Sequence, residues 1–239
     1  MKFSSVILVV LLALLVTGIF ASNIILKMQY NKVDKSDYYW NYDKILDQPF
    51  EYVKIDGGNV TNIVFEQGNN CSVRVLDYWG GYEKDSIKAF IFNDTLYLKF
   101  YNNPSDLYKK FWLQSNVIVR LSAPVLKSID GNNTNFQLEK LTQKSICINL
   151  SGKSRIEVES NIHNLDTINV MQKDSSQVIF EMNPDIKVSP TMSALVVNAT
   201  LKDVTLLDIG HVYVNNLKLK IADSSAVILS GNALKAFHQ

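Results

Sequence analysis

A short pattern recurs down the second half of this chain and restricts the folds open to it. An apolar–x–apolar triplet is followed, after a gap of three to five residues, by a small residue and then by x–apolar–x–apolar. Ile148-Asn-Leu150 leads to Ser154-Arg-Ile156-Glu-Val158, and Ile168-Asn-Val170 to Ser176-Gln-Val178-Ile-Phe180. Ile186-Lys-Val188 leads to Ser193-Ala-Leu195-Val-Val197, Val204-Thr-Leu206 to Gly210-His-Val212-Tyr-Val214, and Leu219-Lys-Ile221 to Ser225-Ala-Val227-Ile-Leu229. A degenerate copy, Ile129 with Thr134-Asn-Phe136-Gln-Leu138, precedes them. The starts at 148, 168, 186, 204 and 219 are one solenoid coil apart.

Alternation with period two puts residues i and i+2 on one face of a strand. Each repeat holds two strands too short to bury a face alone, so stacked copies would share one continuous interior. The expected architecture is an all-β, right-handed parallel β-helix of about six coils, a rod of about 25–30 Å at a strand spacing of ~4.8 Å. Ser154, Ser176, Ser193, Gly210 and Ser225 stand two before an inward apolar residue and would turn inward at tight corners. A β-sandwich is the competing reading; the absence of Asn-Gly hairpin signals and the fixed offset from Ser or Gly to the next strand speak against it.

With 47% apolar and 20% charged residues the chain can bury a core. Its 24 basic residues balance 23 acidic ones, only three of them are Arg, and no run of Lys and Arg appears, which argues against nucleic acid. Val6 to Ala21 is apolar apart from Thr17 and Gly18, and Ile24 to Leu26 extend the run. Residues 1–26 read as a transmembrane signal-anchor; the alternative, a signal peptide cut after Ala21, would place bulky Ile19 three before the cut. Residues 27–49 form a tether carrying Tyr30, Tyr38, Tyr39, Trp40 and Tyr42, either an interfacial aromatic belt or packing for the domain's base. Residues 50–235 read as one β domain, with 50–125 a cap and first strands and 126–230 the repeated coils.

The anchor, the strand from Phe50 to Ile55, the phrase Val117-Ile-Val-Arg-Leu-Ser-Ala-Pro-Val-Leu-Lys-Ser-Ile129 with Gly131 and Asn132, and the Ser-centred coils together resemble the head GIN domain family of Bacteroidetes envelopes. The resemblance covers residues 45–235. The family's Ser-Gly runs survive at Ser151-Gly152-Lys-Ser154 and Ser230-Gly231. Membership implies a right-handed β-helix on the cell envelope, and the family carries an auto-transporter adhesin label without a catalytic motif.

β-Helix enzymes need paired carboxylates, or an acidic calcium cluster with a basic proton acceptor, on one outer face. The second strands project Gln137, Glu157, Ile179, Val196, Tyr213 and Ile228, of which one is acidic. Asp166, Asp174, Asp185, Asp203, Asp208 and Asp223 fall in turns, where Asp is common. His163, His211 and His238 share no metal-ligand spacing. Neither a catalytic residue, a metal site nor a cofactor is expected. Cys71 and Cys147 are read as free thiols, with a disulfide between cap and solenoid as the alternative.

Two candidate surfaces follow. Ile179, Val196, Tyr213 and Ile228 would form an apolar stripe for a partner or a second copy; β-branched residues that simply suit strands are the bland account. Tyr78, Trp79 and Tyr82, with Phe111 and Trp112, offer two aromatic loops for stacking on sugars or for capping the solenoid end. The first strands project Asn149, Asn169, Lys187, Thr205 and Lys220, read as a solvated face. The expected function is a non-catalytic binding or adhesion module held outside the cytoplasmic membrane, with a glycan, an envelope protein or a homo-oligomer as partner. The alternatives are a polysaccharide-processing enzyme and a self-assembling structural protein.

Overall fold

The computed structural model describes residues 3–34, 36–59, 61–76, 87–101, 117–159, 165–181, 193–210, 213–230 and 232–235. Two compact units, Met1–Tyr42 and Asp43–Gln239, divide the chain. The first contains helix α1 (Phe3–Tyr30), whose 28 residues extend about 42 Å at 1.5 Å each. No residue of α1 is buried, and it is long and apolar enough to cross a membrane, a test that a signal sequence also meets. The Thr17 hydroxyl donates to the carbonyls of Ala13 and Leu14, so this polar group makes its bonds within the helix. The helix therefore continues past the expected end of the anchor at residue 26.

The second unit is built of strands. In chain order they are β1 (Tyr42–Leu46), β2 (Tyr52–Asp56), β3 (Asn62–Gln67), β4 (Ser72–Leu76), β5 (Ile87–Phe92), β6 (Thr95–Phe100), β7 (Val117–Ala123), β8 (Ser128–Asn132) and β9 (Asn135–Glu139). There follow β10 (Ser145–Ser151), β11 (Arg155–Glu159), β12 (Thr167–Gln172), β13 (Gln177–Glu181), β14 (Ser193–Leu201), β15 (Leu206–Gly210), β16 (Tyr213–Ile221), β17 (Ala226–Leu229) and a one-turn helix α2 (Asn232–Lys235). They form a nine-stranded sheet, β1-β4-β7-β3-β9-β11-β13-β15-β17, and an eight-stranded sheet, β16-β14-β12-β10-β8-β2-β6-β5.

Both sheets are mixed. The recurring ladders are parallel, but β4 runs antiparallel to β7 and β5 antiparallel to β6. The β5–β6 pair is a hairpin closed by Asn93 and Asp94, both at positive φ (47° and 55°), as a twisted two-residue turn requires. The sheets are thus mixed rather than wholly parallel, the antiparallel pairs falling within residues 50–125, expected as the cap and first strands.

Among the described residues the chain passes seven times from a strand of the eight-stranded sheet to one of the nine-stranded sheet: β2/β3, β6/β7, β8/β9, β10/β11, β12/β13, β14/β15 and β16/β17. Their order in space is not their order in sequence. The first pair lies inside the stack, with β2 between β6 and β8 and β3 between β7 and β9. Residues 50–125 therefore supply interior strands, and Tyr42–Leu46 of the expected tether is a strand beside β4.

The third and fourth copies are out of phase with the others, whereas the fifth, Leu219 to Leu229, falls on β16 and β17 with Ser225 at the corner as expected. Ser193 and Gly210, expected at corners, belong to β14 and β15; the corner residue between those strands is Thr205. Up to Phe180 the inward register is as the alternation requires: Ile148, Leu150, Ile156, Val158, Ile168, Val170, Val178 and Phe180 are all buried in one core with Val53, Leu98 and Ile129.

At the corners the column of small residues is continuous. Thr61, Thr134, Ser154, Ser176 and Thr205 are buried, and the amides of Arg155, Gln177, Leu206 and Ala226 donate in turn to the carbonyls of Thr134, Ser154, Ser176 and Thr205 (2.8–3.1 Å). Just before them Asn133, Gly152, Asp174 and Asp203 adopt φ between 52° and 65°, a region that Gly, Asn and Asp enter at least cost. The side chains of Asn133, Asp174 and Asp203 each accept from a backbone amide of the neighbouring corner. Asp174 Oδ2 accepts from the Gly152 amide (2.9 Å), and Asp203 Oδ2 from the Asp174 amide (3.1 Å).

Asp203→Ala removes this acceptor and leaves a Cβ-bearing residue at φ 58°, and should cost about 1–2 kcal/mol. Asp203→Gly loses the acceptor but not the backbone compatibility, so it should cost less. Urea unfolding of the two variants checks this order; equal losses would mean that the left-handed corner contributes nothing.

Candidate functional site

On the outer face of the eight-stranded sheet, strand register gathers residues that are far apart in sequence. One row across the strands runs Phe90, Tyr97, Lys54, Asp130, Asn149, Met171, Thr200, Lys220. The next runs Tyr52, Ser128, Cys147, Asn169, Asn198, Lys218, and on the other side Lys99, Asp56, Asn132 and Ser151 follow one another. A hollow of about 650 Å³ lies over the first and third rows, and a second of about 620 Å³ adjoins it, sharing Asn149, Met171 and Thr200.

The chemistry changes along this face. At the β5–β6 end, Phe90 and Tyr97 stack face to face, with centroids 5.0 Å apart and planes 4° from parallel, and Phe90 is 47% exposed. In the middle, amides and carboxylates pair between strands: Asn149 Nδ2 donates to Asp130 Oδ1 (2.6 Å), Asn132 Nδ2 to Asp56 Oδ1 (2.9 Å) and Asn198 Nδ2 to Asn169 Oδ1 (2.9 Å). One oxygen of each aspartate is thus held by an amide and the side chains are pre-oriented. Met171, 56% exposed, supplies an apolar patch. Around them stand the exposed lysines Lys54, Lys99, Lys173 and Lys202, against Asp56 and Asp130 alone among the described residues lining the hollow. Cys147 lies on this face with its thiol pushed up by burial and then by the Asp130 charge; Cys71 precedes β4 of the other sheet, and both are free.

The nine-stranded sheet has the opposite character. All three arginines, Arg74, Arg120 and Arg155, are on its strands β4, β7 and β11. Arg120 meets Glu66 (3.6 Å) and Arg155 meets Glu157. Glu66 is in register with Glu139, and Glu159 follows on the adjacent strand β11. This carboxylate row escaped the sequence reading because it lies at the strand ends, beyond the position of Glu157. It is occupied by internal partners: Lys140 reaches Glu66 (3.2 Å) and the Gln137 amide donates to Glu159. Among the described residues no group of His, Cys, Asp and Glu is arranged to hold a metal. The Glu139 carboxyl is pushed up to about 7, first by burial, then by its hydrogen bond with Glu66 and by the charges of Glu159 and Glu66, against the pull of Arg120.

The four residues expected to form an apolar stripe are not brought together. Ile179 and Ile228 are on the nine-stranded sheet with Asp208 between them in register, whereas Val196 and Tyr213 are on β14 and β16 of the other sheet. The third and fourth copies, which hold Val196 and Tyr213, are out of phase with the others, and that is the reason. Tyr78, Trp79, Tyr82, Phe111 and Trp112 lie outside the described residues, as do His163, His211 and His238. The face expected to be merely solvated carries the hollows at Asn149, Asn169 and Lys220, whereas Thr205, expected on it, is buried at a corner and Lys187 lies outside the described residues. The aromatic residues Phe90 and Tyr97 went unnoticed there because β5 and β6 were not read as neighbours of the repeats.

No family model matches the chain, and no curated protein matches it. Among solved structures it is similar to a "putative adhesin" of Bacteroides fragilis, with 13% identity over 78% of this chain and 95% of that one and a TM-score of 0.38. It is similar to a "putative adhesin" of Parabacteroides distasonis (14%, 80% and 94%, TM-score 0.38) and to a "putative lipid binding protein" of the same organism (12%, 80% and 94%, TM-score 0.36). These are distant likenesses of chain path.

Glu139 yields a pH prediction with a definite sign. Its folded value, about 7, lies above the ordinary 4.5, so between the two the folded chain keeps a proton that the unfolded chain has lost. Stability should therefore fall as pH rises through this window. After allowance for solvent screening the fall is on the order of 1–2 kcal/mol. Glu139→Gln should abolish it. Chemical denaturation of both proteins at about pH 5 and about pH 8 checks this; identical pH dependence would contradict it.

Proposed function

We propose that this chain is a non-catalytic binding module of the cell envelope whose binding face is the outer surface of the eight-stranded sheet, and whose ligand is a glycan. In this reading α1 anchors the chain in the membrane, and the seven strand pairs wind as a right-handed parallel β-helix to which β4 and β5 add antiparallel strands. The head GIN resemblance points to the same kind of protein. The observation that carries the reading is the hollow of about 650 Å³ with the Phe90–Tyr97 stack at one end and the Asp130–Asn149 and Asp56–Asn132 pairs beside it.

A saccharide presents an apolar C–H face and a rim of hydroxyls. The first suits an exposed aromatic ring, and the second suits carboxylate and amide groups that can accept and donate together. Such groups are useful only where their geometry is fixed in advance, and here the hydrogen bonds between strands fix it. Catalysis finds less support, because the carboxylates of the nine-stranded sheet are engaged by Arg120, Lys140, Arg155 and Gln137.

The test is a glycan array probed with the full chain in neutral detergent micelles. Binding should occur and should fall in Phe90→Ala and Tyr97→Ala while persisting in Trp79→Ala and Trp112→Ala. Loss confined to either tryptophan variant would move the site to the loops, and no binding to any glycan would reject the reading.

A further inference from the structure

The lysines of the binding face narrow the ligand class. The net charge of +1 conceals a partition: Arg120 and Arg155 are set against glutamates on the nine-stranded sheet, while Lys54, Lys99, Lys218 and Lys220 of the eight-stranded sheet face solvent. Lys54, Lys99, Lys173 and Lys202 border the first hollow and Lys218 and Lys220 the second. All six are exposed, and none forms an ion pair among the described residues. Among the described residues the carboxylates lining the same two hollows are Asp56 and Asp130, each already accepting from an asparagine.

Unpaired ammonium groups around a depression that also holds an aromatic stack and hydroxyl-matching amides are complementary to a ligand with both hydroxyls and repeated negative charge. We infer that this face binds an unbranched acidic polysaccharide, a polyuronate-type chain laid across the strands from Phe90 and Tyr97 toward Lys220, with its carboxylates against the lysines. The inference rests on the glycan-binding reading above and specifies its ligand.

Length fits the direction. The row from Phe90 on β5 to Lys220 on β16 crosses seven strand-to-strand steps, about 34 Å at ~4.8 Å each, room for several sugar units in line. The charged groups recur along this axis and not along a single strand: Lys99 is on β6, Lys54 on β2, Lys173 follows β12, Lys202 follows β14, and Lys218 and Lys220 are on β16. A linear polymer along the stack meets them in succession; a compact monosaccharide would meet one or two. The lysines border hollows, so a flat anionic surface such as a bilayer would reach fewer of them than a narrow chain lying in the depression.

The experiment is calorimetric titration of the full chain in neutral micelles with three probes: an oligogalacturonate, the same oligosaccharide with its carboxyls reduced to alcohols, and a poly-glutamate peptide of similar charge. The oligogalacturonate should bind, and the other two should bind at least about tenfold more weakly, the scale expected when two or more exposed charge pairs are lost. Lys54→Gln/Lys173→Gln should weaken oligogalacturonate binding by a similar factor while leaving the reduced chain unaffected, and Phe90→Ala should weaken both sugars. Equal binding of the acidic and reduced sugars would overturn the acidic class while the glycan reading stood. Equal binding of poly-glutamate would show a general polyanion surface and overturn the saccharide assignment. No binding of the oligogalacturonate, with a neutral glycan bound on the array, would overturn this inference alone; no binding of any sugar would overturn both.

Discussion

The column of corners between the two sheets sets the register of the repeated strands. A chain that passes between stacked sheets in two to four residues must reverse direction sharply, and it does so through a left-handed residue followed by a small buried one. Gly152, Asp174 and Asp203 meet the first demand, and Ser154, Ser176 and Thr205 the second. Because each corner donates backbone hydrogen bonds to the carbonyls of its neighbour, a shift of one residue would break the column and turn each strand inside out. The buried core follows from this register, and so does the outer face. Lys54 stands beside Asp130, and Asp130 beside Asn149, because the inward neighbours Ile55, Gly131 and Leu150 are stacked.

The same register explains how opposite charges come to be separated. Residues on one outer row recur at one position in successive layers, so a preference at that position becomes a stripe of like chemistry. On the nine-stranded sheet the stripe is carboxylates, tolerable because Arg120, Lys140 and Gln137 intervene and because Glu139 keeps its proton to about pH 7. On the other sheet no matching stripe of carboxylates meets the lysines among the described residues. Such an uncompensated surface adds little to folding, since exposed charges contribute little to stability, and its use is better sought in binding.

Much of the stack was legible in the sequence, and the reasons for the rest are physical. Alternation gave the inward positions from Ile148 to Phe180, because burial on one side of a strand leaves a period-two imprint. It gave no phase, since either sheet produces the same imprint, and the long β14 and β16 were divided between false corners at Ser193 and Gly210. A phase signal was present in Gly152-Lys-Ser154, Asp174-Ser-Ser176, Asp203-Val-Thr205 and Asp223-Ser-Ser225: a residue suited to a tight turn, one spacer, then a small hydroxyl residue. The candidate face was less legible. Its asparagines and Lys220 were visible as outward residues, but nothing local shows that β2 enters between β6 and β8, and that placement brings Tyr97 to Lys54 and Lys54 to Asp130.

The stacking order is therefore the claim on which the binding face depends, and disulfide trapping tests it directly. In a background with Cys71→Ser and Cys147→Ser, the pair Lys54→Cys/Tyr97→Cys places two thiols at registered positions of adjacent strands, about 4.8 Å apart along the stack and within reach of a disulfide. The pair Tyr97→Cys/Asp130→Cys spans two steps with β2 between them. Mild oxidation of the folded protein should link the first pair and leave the second reduced. A link between 97 and 130, whether or not 54 and 97 also link, would mean that β6 rather than β2 adjoins β8, as stacking in sequence order would place it, and that the face described here is not assembled.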